Sequence, residues 1–343
     1  MFLDRSFGLA LSGGNALGAY QAGVYEALHA AGALPDRVSG ASAGAINGAL
    51  IAGSPPSERL ARLRALWQPG LTDAADHGAI DEWRRTAAVQ IAMAGGRAGL
   101  FGPRNLLFPT LPFGNAAPPS VWDTSPLGAT LAELIDWPLL NRAAPRLSVT
   151  AVDVETGEDV GFDTARDTLT PDHIRASAAL MPAFPPVELN GRLLADAGIS
   201  ANLPLDALLG EATDGPLLVV AVDLLPLAAS RPRTLTDVAS RLQDLNFACQ
   251  SRRTIEAWAR VFAERGGRAP AVTLIHLTYA DQAFEVVGKA FDFSPATIRD
   301  RWTTGRRDAQ AMLAMLANDT IPLSDTPGLY VHRVALKPSA DGR

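Results

Sequence analysis

Ser42 is the residue whose neighbours in the sequence most clearly indicate chemistry. It lies at the centre of the pentapeptide Gly40-Ala41-Ser42-Ala43-Gly44, between a short apolar stretch (residues 37–40) and an alanine-rich helical run (residues 43–52). A serine at such a strand-turn-helix junction forms a nucleophile elbow, in which small neighbours permit a sharp turn and the hydroxyl projects from the backbone. A structural turn is the alternative, because G-x-S-x-G also arises by chance in a chain rich in glycine and alanine.

A second glycine-rich loop follows the first predicted strand and has the donors that acyl chemistry requires. Residues 12–18 read Ser-Gly-Gly-Asn-Ala-Leu-Gly, and backbone N–H groups at the start of a helix are free to donate. We expect the N–H groups of Gly13, Gly14, Asn15 and Ala43 to form an oxyanion hole. A plain turn and a dinucleotide site are the alternatives, but G-x-G-x-x-G requires a glycine at Asn15, and no G-K-[ST] follows.

The serine also needs a base, and a carboxylate fits better than a histidine. No histidine follows a strand in a glycine-rich loop, so we interpret all five as structural: His29, His77, His173, His276 and His332. Asp196 ends a predicted strand and precedes the small pair Ala197-Gly198. An aspartate is ionised at neutral pH and can accept the hydroxyl proton, and burial makes it more basic. A turn residue is the alternative, and the competing acids are Asp153, Asp206 and Asp223.

The composition limits the classes of function. With 343 residues, 48% of them hydrophobic and 19% charged, the chain can bury a large core as one α/β domain with additions. A net charge of −6 without clusters of basic and aromatic residues argues against a nucleic-acid partner. Cys249 is the single cysteine, which excludes an intrachain disulfide, and nothing calls for a metal or a cofactor. Short apolar segments at residues 7–11 and 216–229 predict a cytoplasmic protein without a signal peptide or membrane span.

The elements that must position these residues begin with a strand, a helix, a strand and a helix, within residues 7–52. This alternation favours a parallel sheet covered by helices. Two hairpins are expected, at residues 146–163 and, around Asn190-Gly191, at residues 189–195. Further strands are predicted at residues 217–224 and 272–279. Helices are predicted at residues 57–67 (with Ser57 as N-cap), 81–94, 125–137, 171–180, 234–265 and 294–317.

Residues 94–119 form a long loop that combines glycine and proline with large apolar side chains. Such a loop either packs into the core or covers an apolar site as a lid. Phe101, Leu107 and Phe108 are therefore candidates for substrate binding. If residues 100–113 are exposed, they also predict peripheral contact with a membrane.

Three segments, in this order, resemble the patatin-like phospholipase family, whose members are lipid acyl hydrolases with a Ser-Asp dyad. Residues 11–24 are similar to the family's oxyanion loop and first helix, and residues 40–44 to its nucleophile motif. Residues 175–187, Asp196-Ala197-Gly198 and residues 202–205 are similar to the segment that carries the catalytic aspartate. The resemblance implies a three-layer α/β/α fold with a mostly parallel central sheet, a Ser42-Asp196 dyad, and a lipid or ester substrate.

The resemblance covers residues 7–225 and predicts a catalytic domain at residues 5–225. Residues 291–294 and 298–302 resemble the C-terminal extension of a bacterial branch of the family. Residues 226–343 are accordingly predicted to be a mainly helical extension with added strands, packed on the same domain.

Three positions differ from the family pattern. Asn15 replaces the third glycine of the loop, Leu17 replaces an arginine, and Ala197 replaces the glycine after the aspartate. Asparagine tolerates positive φ, so Asn15 is expected to preserve the loop conformation. The favoured function is a serine esterase or lipid acyl hydrolase. An acyltransferase that uses the same acyl-enzyme and a catalytically silent lipid-binding protein are the alternatives.

Overall fold

The structure is a computed structural model that describes residues 5–68, 70, 78–104, 120–142, 144–211 and 215–336. Its strands are β1 (Ser6–Leu11), β2 (Arg37–Gly40), β3 (Gly102–Pro103), β4 (Trp122–Asp123), β5 (Arg146–Asp153), β6 (Asp159–Asp163), β7 (Val187–Leu189), β8 (Arg192–Asp196), β9 (Leu217–Asp223), β10 (Ala271–Thr278) and β11 (Gly328–Val334). Its helices are α1 (Gly18–Ala30), α2 (Ala43–Ala52), α3 (Arg59–Trp67), α4 (Ala79–Gly95), α5 (Ser125–Leu134), α6 (Trp137–Leu140), α7 (Pro171–Ser177), α8 (Asp206–Leu209), α9 (Leu235–Arg265) and α10 (Pro295–Ala317).

Within the described residues, nine of the strands form one mixed sheet. Its order is β11-β10-β9-β1-β2-β5-β8-β7, and β6 also pairs with β5. The pairs from β11 to β5 are all parallel, whereas β6 and β8 run antiparallel to β5, and β7 runs antiparallel to β8. The strand-helix-strand-helix opening and both hairpins are therefore confirmed. After residue 225 the chain extends the same sheet through β10 and β11.

Strand β9 shows how the sheet lies between two layers of helices. All seven of its residues are buried, which is typical of a parallel strand with both faces covered. Leu218, Val220 and Val222 belong to the core that includes α1, whereas Leu217, Val219 and Ala221 pack with side chains of α9. Successive side chains of a strand point to opposite faces, so these two sets lie on opposite sides of the sheet. The three-layer α/β/α fold with a mostly parallel central sheet is confirmed.

Helices α1 and α10 cross so closely that two glycines are required. A Cβ atom at Gly23 would lie 1.9 Å from the carbonyl oxygen of Trp302, and one at Gly305 would lie 2.0 Å from that of Tyr20. Distances this short exclude any side chain at either position without a shift of the backbone. The contact fixes α10, which follows the predicted catalytic domain, against the first helix of that domain.

Three helix predictions need correction. Helix α3 begins at Arg59 rather than Ser57, its N-cap is Glu58, and no side chain caps it. The helix predicted for residues 125–137 is two helices, because Asp136 starts α6 by accepting a hydrogen bond from the Leu139 N–H (2.9 Å). Helix α7 ends at Ser177 rather than at residue 180, and just beyond it the Ala179 carbonyl accepts the Asp196 N–H (3.1 Å) instead of a helical N–H.

Candidate active site

Ser42 lies in a strained turn between β2 and α2, as the elbow prediction requires. Its backbone has φ 54° and ψ −122°, a combination that costs free energy in a residue other than glycine. The turn is held by the Ser42 N–H, which donates to Ser177 Oγ (3.0 Å). It also depends on Gly44, where a Cβ atom would lie 2.1 Å from the carbonyl oxygen of Leu11. The half-buried Ser42 side chain lines the cavity described below.

Asp196 is the last residue of β8, and only 2% of its surface is exposed. Its Oδ1 accepts a hydrogen bond from the Gly198 N–H (2.6 Å), and its own N–H donates to the Ala179 carbonyl (3.1 Å). Burial raises the pKa of the carboxyl to about 6, against smaller opposing effects of the Ser42 hydroxyl and the Gly198 N–H. A carboxylate in this state is ionised at neutral pH and is more basic than one in water.

The contact between the Ser42 hydroxyl and the Asp196 carboxylate is loose. The hydroxyl lowers the pKa of Asp196 by hydrogen bonding to its charged form. Nevertheless, Oδ2 is buried and makes no well-formed hydrogen bond with the described residues. Catalytic hydrogen bonds are often long or poorly aligned without substrate and become shorter in its presence. One carboxylate oxygen is thus held by Gly198, and the other remains available for a proton.

The loop of residues 13–15 lies directly against Ser42. A Cβ atom at Gly13 would lie 3.0 Å from Ser42 Cβ and 2.6 Å from Asn202 Oδ1. Asn15 has φ 53°, so the expectation that this asparagine adopts a left-handed conformation is confirmed. The Gly13 N–H, however, donates to the Asn202 carbonyl (3.0 Å). This bond removes Gly13 from the donors available to an oxyanion.

Three of the expected donors remain available. The N–H groups of Gly14, Asn15 and Ala43 have no acceptor within the part of the chain that the structure describes. Ala43 is the first residue of α2, where the partial positive charge of a helix N-terminus favours a developing anion. These three groups are the candidates for an oxyanion hole.

A buried polar network behind the loop could not be recognised from the sequence. Asn47 donates to the Gly18 carbonyl and to Gln21 Oε1 (both 2.9 Å), and Gln21 donates to the Ser12 carbonyl (2.8 Å). Trp67 Nε1 donates to Asn47 Oδ1 (2.8 Å). These side chains connect α1, α2 and α3 to both ends of the loop and so hold it in place.

Ser42 and Asp196 face a cavity of about 80 Å³ with mainly apolar walls. Gly13, Gly14, Asn15 and Ala43 also line it, so the structure places all the sequence-predicted catalytic and oxyanion-hole residues at one cavity. Its large apolar side chains include Leu17, Ile46, Trp67, Leu100, Leu127, Leu180 and Phe184. A cavity of this character suits an acyl chain better than a polar ligand.

Phe101 lines the same cavity from within an aromatic cluster. Its ring centroid lies 5.6 Å from that of Trp122, 5.2 Å from that of Phe184 and 5.8 Å from that of Phe293. Only 3% of Phe101 is exposed, because the cluster buries its ring. Leu107 and Phe108 lie outside the described residues, and so does most of the segment predicted to contact a membrane.

The C-terminal part of the chain supplies one wall of the cavity. Gln243 and Phe247 come from α9, and Ala290, Phe291 and Phe293 come from the segment before α10. The sequence singled out the Phe291-Asp292-Phe293 motif without assigning it a role. Nothing in the sequence marks Phe247 as a residue of the site, because an aromatic residue on a long helix usually belongs to the core.

The competing candidates lie elsewhere. His173 closes a capping box with Thr170, and His276 Nε2 lies 3.1 Å from Asp223 Oδ2. Asp206 accepts a hydrogen bond from Trp258 (2.6 Å), and Asp153 accepts the backbone N–H groups of a turn. Among the described residues, no histidine lines the cavity, and Asp196 is its only carboxylate. His77 lies outside the described residues.

Within the described ranges, no group of three or more histidine, cysteine, aspartate or glutamate side chains is arranged to hold a metal ion. No helix in the described part of the chain has the length and apolar character needed to cross a bilayer.

Comparison with known proteins gives two family matches. A family model described as patatin-like phospholipase matches residues 9–209, and one described as patatin phospholipase matches residues 229–319. Among curated proteins, the chain is 30% identical over 226 residues to uncharacterized NTE family proteins of Mycobacterium tuberculosis and Mycobacterium bovis. That match covers 64% of this chain but 30% of each relative, so the chain corresponds to only part of the relatives' length.

Solved structures show more distant similarity. VipD from Legionella pneumophila has a TM-score of 0.43 and 16% identity, over 91% of this chain and 67% of that one. The type III effector protein ExoU has a TM-score of 0.37 and 15% identity, over 91% of this chain and 53% of that one. Neither score is high enough to establish a shared fold by superposition alone.

Proposed function

The chain belongs to the patatin-like phospholipase family, and we propose that it is a serine acyl hydrolase that cleaves carboxylic esters of lipids. One observation carries the proposal. A strained serine and a buried carboxylate with a raised pKa share the wall of one apolar cavity. Activated serines need a base within hydrogen-bonding reach, and Asp196 is the carboxylate that meets this need.

The reaction begins when Ser42 Oγ attacks the ester carbonyl carbon and Asp196 accepts the hydroxyl proton. The tetrahedral oxyanion accepts hydrogen bonds from the N–H groups of Gly14, Asn15 and Ala43. Loss of one such donor typically costs about 10²- to 10³-fold in rate. As the tetrahedral intermediate collapses, the carbon–oxygen bond to the alcohol breaks, and Asp196 gives its proton to the departing oxygen. An acyl-enzyme ester on Ser42 remains.

Water completes the cycle. Asp196, ionised again, accepts a proton from a water molecule that attacks the acyl-enzyme carbonyl. Collapse of the second intermediate returns the proton to Ser42 Oγ and releases the free acid. The carboxylate thus acts as base and acid in turn, and the reaction leaves the dyad unchanged.

The shape of the site supports a lipid substrate. Leu17, Phe101, Phe184 and Phe291 present apolar surface within the cavity that contains Ser42. Burial of an acyl chain stabilises the complex by roughly 0.8 kcal/mol for each methylene group removed from water. We therefore expect longer acyl chains to bind more tightly until they fill the cavity. Peripheral contact with a membrane remains a prediction of the sequence.

Ser42→Ala tests the function directly. With medium-chain p-nitrophenyl esters, we expect the variant to lose at least about 10³-fold in kcat and to take no fluorophosphonate label. Ser57→Ala is the matched control, because Ser57 is exposed and does not line the cavity. Hydrolysis by a folded Ser42→Ala protein at the parent's rate would eliminate the mechanism.

A further inference from the structure

The segment from Gly198 to Asn202 contacts both parts of the site. At its start, the Gly198 N–H donates to Asp196 Oδ1 (2.6 Å). At its end, the Asn202 carbonyl accepts the Gly13 N–H (3.0 Å), and Asn202 Nδ2 lies 3.5 Å from the Gly13 carbonyl. The position of this segment therefore determines both the direction of the carboxylate and the position of the oxyanion loop.

One side chain from outside the predicted catalytic domain holds both ends of that segment. Gln250, in the middle of α9, donates from Nε2 to the Gly198 carbonyl (3.0 Å). Its Oε1 accepts the Asn202 N–H (3.2 Å). The planar amide has a donor and an acceptor at a fixed separation, so it fixes the distance between Gly198 and Asn202.

Gly198 needs such an external restraint. A glycine has more conformational freedom than any other residue. A larger residue, which would have less conformational freedom, does not fit here without a shift of its neighbours. Its Cβ atom would lie 2.9 Å from Asp196 Oδ1 and 3.1 Å from Phe247 Cε1. A side chain at this position would displace the Asp196 carboxylate or the Phe247 ring, so the conformation of Gly198 is fixed by its hydrogen-bond partners.

We propose that Gln250 is a positioning residue that couples the carboxylate of Asp196 to the oxyanion loop. It does not line the cavity, so it acts through the backbone of Gly198 and Asn202. Only the expected effect of Gln250 on catalysis rests on the proposed function. The coupling of the two loops is a property of the structure and can be measured without a substrate.

Gln250→Met tests the coupling, because methionine has a similar length and can form neither hydrogen bond. Asn246→Met is the matched control, since Asn246 is an exposed amide on the same helix. In Gln250→Met we expect faster amide hydrogen exchange at Asn202, which loses its acceptor, and also at Gly198 and Gly13. Exchange at Gly13 is the decisive measurement, because the Gly13 N–H is bonded to Asn202 and not to Gln250.

Catalysis provides the second measurement. A displacement of about 1 Å in a reacting group can cost about 10²-fold in rate, so we expect kcat of Gln250→Met to fall by about 10- to 100-fold. KM should change less than threefold, since the cavity walls remain in place. Gln250→Glu keeps the acceptor for Asn202 but loses the donor to Gly198. In Gln250→Glu, amide hydrogen exchange at Asn202 should therefore be slow again, whereas exchange at Gly198 should remain fast.

The outcomes separate this inference from the proposed function. If exchange at Gly13 and Gly198 in Gln250→Met equals that in Asn246→Met, the inference is overturned, whatever the enzyme does. Parent-like kcat in Gln250→Met would also overturn it. If exchange rises as expected but neither parent nor variant hydrolyses esters or labels at Ser42, the coupling stands and the proposed function fails.

Discussion

Ser42 and Asp196 lie close together because the strands that lead to them, β2 and β8, both pair with β5. Gly40, two residues before Ser42, pairs with Val149 of β5 on one side, and Asp196 pairs with Ala151 of β5 on the other. Strand β2 runs parallel to β5 and β8 runs antiparallel to it. The two strands therefore approach from opposite edges of the sheet, and both end at nearly the same level of β5, because Val149 and Ala151 are two residues apart.

The pKa of Asp196 predicts how activity depends on pH. The proposed base must be ionised, and burial raises its pKa to about 6. We expect kcat/KM to be constant well above pH 6 and to fall about tenfold for each pH unit well below it. A profile measured with an ester whose leaving group does not titrate in this range is the test. A midpoint near the ordinary aspartate pKa would contradict the assignment.

Asp196→Asn is expected to lose activity and gain stability. Removal of a general base typically costs about 10²- to 10⁴-fold in kcat. The folded-state pKa of about 6 exceeds the ordinary value of 3.8, so the folded protein binds the proton more tightly than the unfolded chain. The free energy of unfolding therefore decreases as the pH rises from 3.8 through 6, because Asp196 ionises less readily in the folded protein. At pH 7 the asparagine variant should be more stable by up to about 3 kcal/mol.

Denaturant unfolding at two pH values checks that stability gain. The difference between parent and Asp196→Asn should shrink toward zero as the pH falls below 3.8, because the Asp196 carboxyl is then mostly protonated in both the folded protein and the unfolded chain. Asp206→Asn serves as the control, since Asp206 is exposed and lies outside the cavity lining. A variant that is active and no more stable than the parent at pH 7 would argue against a buried catalytic carboxylate.

Gly44→Ala tests the geometry of the elbow. The added methyl group would lie 2.1 Å from the Leu11 carbonyl oxygen and 2.8 Å from Leu11 Cβ, so β1 and α2 must move apart. Overpacking of this kind typically costs about 1–3 kcal/mol or more, and we expect a lower Tm together with loss of activity. Gly267→Ala is the control, because a Cβ atom there meets nothing within 4 Å. Equal Tm values for the two variants would contradict the packing.

Phe291→Leu tests the wall formed by the C-terminal part of the chain. Phe291 lines the cavity, and its ring centroid lies 5.1 Å from that of Trp122. A smaller side chain enlarges the cavity, so KM should fall for longer acyl esters relative to shorter ones. Phe262→Leu is a matched control in the core on the other side of the sheet. If both variants keep the parent's chain-length preference, Phe291 does not bind the acyl chain.

The sequence by itself determined the local features of the site. The turn at Ser42, the helix after it and the left-handed Asn15 depend on the steric preferences of residues that are adjacent in the chain. For the same reason, the strand-helix-strand-helix opening and the hairpin at Asn190-Gly191 could be predicted. Small residues and hydrophobic periodicity are visible without any knowledge of distant contacts.

Only the tertiary structure decided what distant residues do to one another. The meeting of Asp196 with Ser42 depends on strand order in the sheet. The capture of the Gly13 N–H by the Asn202 carbonyl removed one expected oxyanion donor, and Phe247 and Phe291 joined the cavity from segments far along the chain. Hydrogen bonds and packing between remote segments have no signal in local sequence, because they arise only when the sheet and the two helical layers assemble.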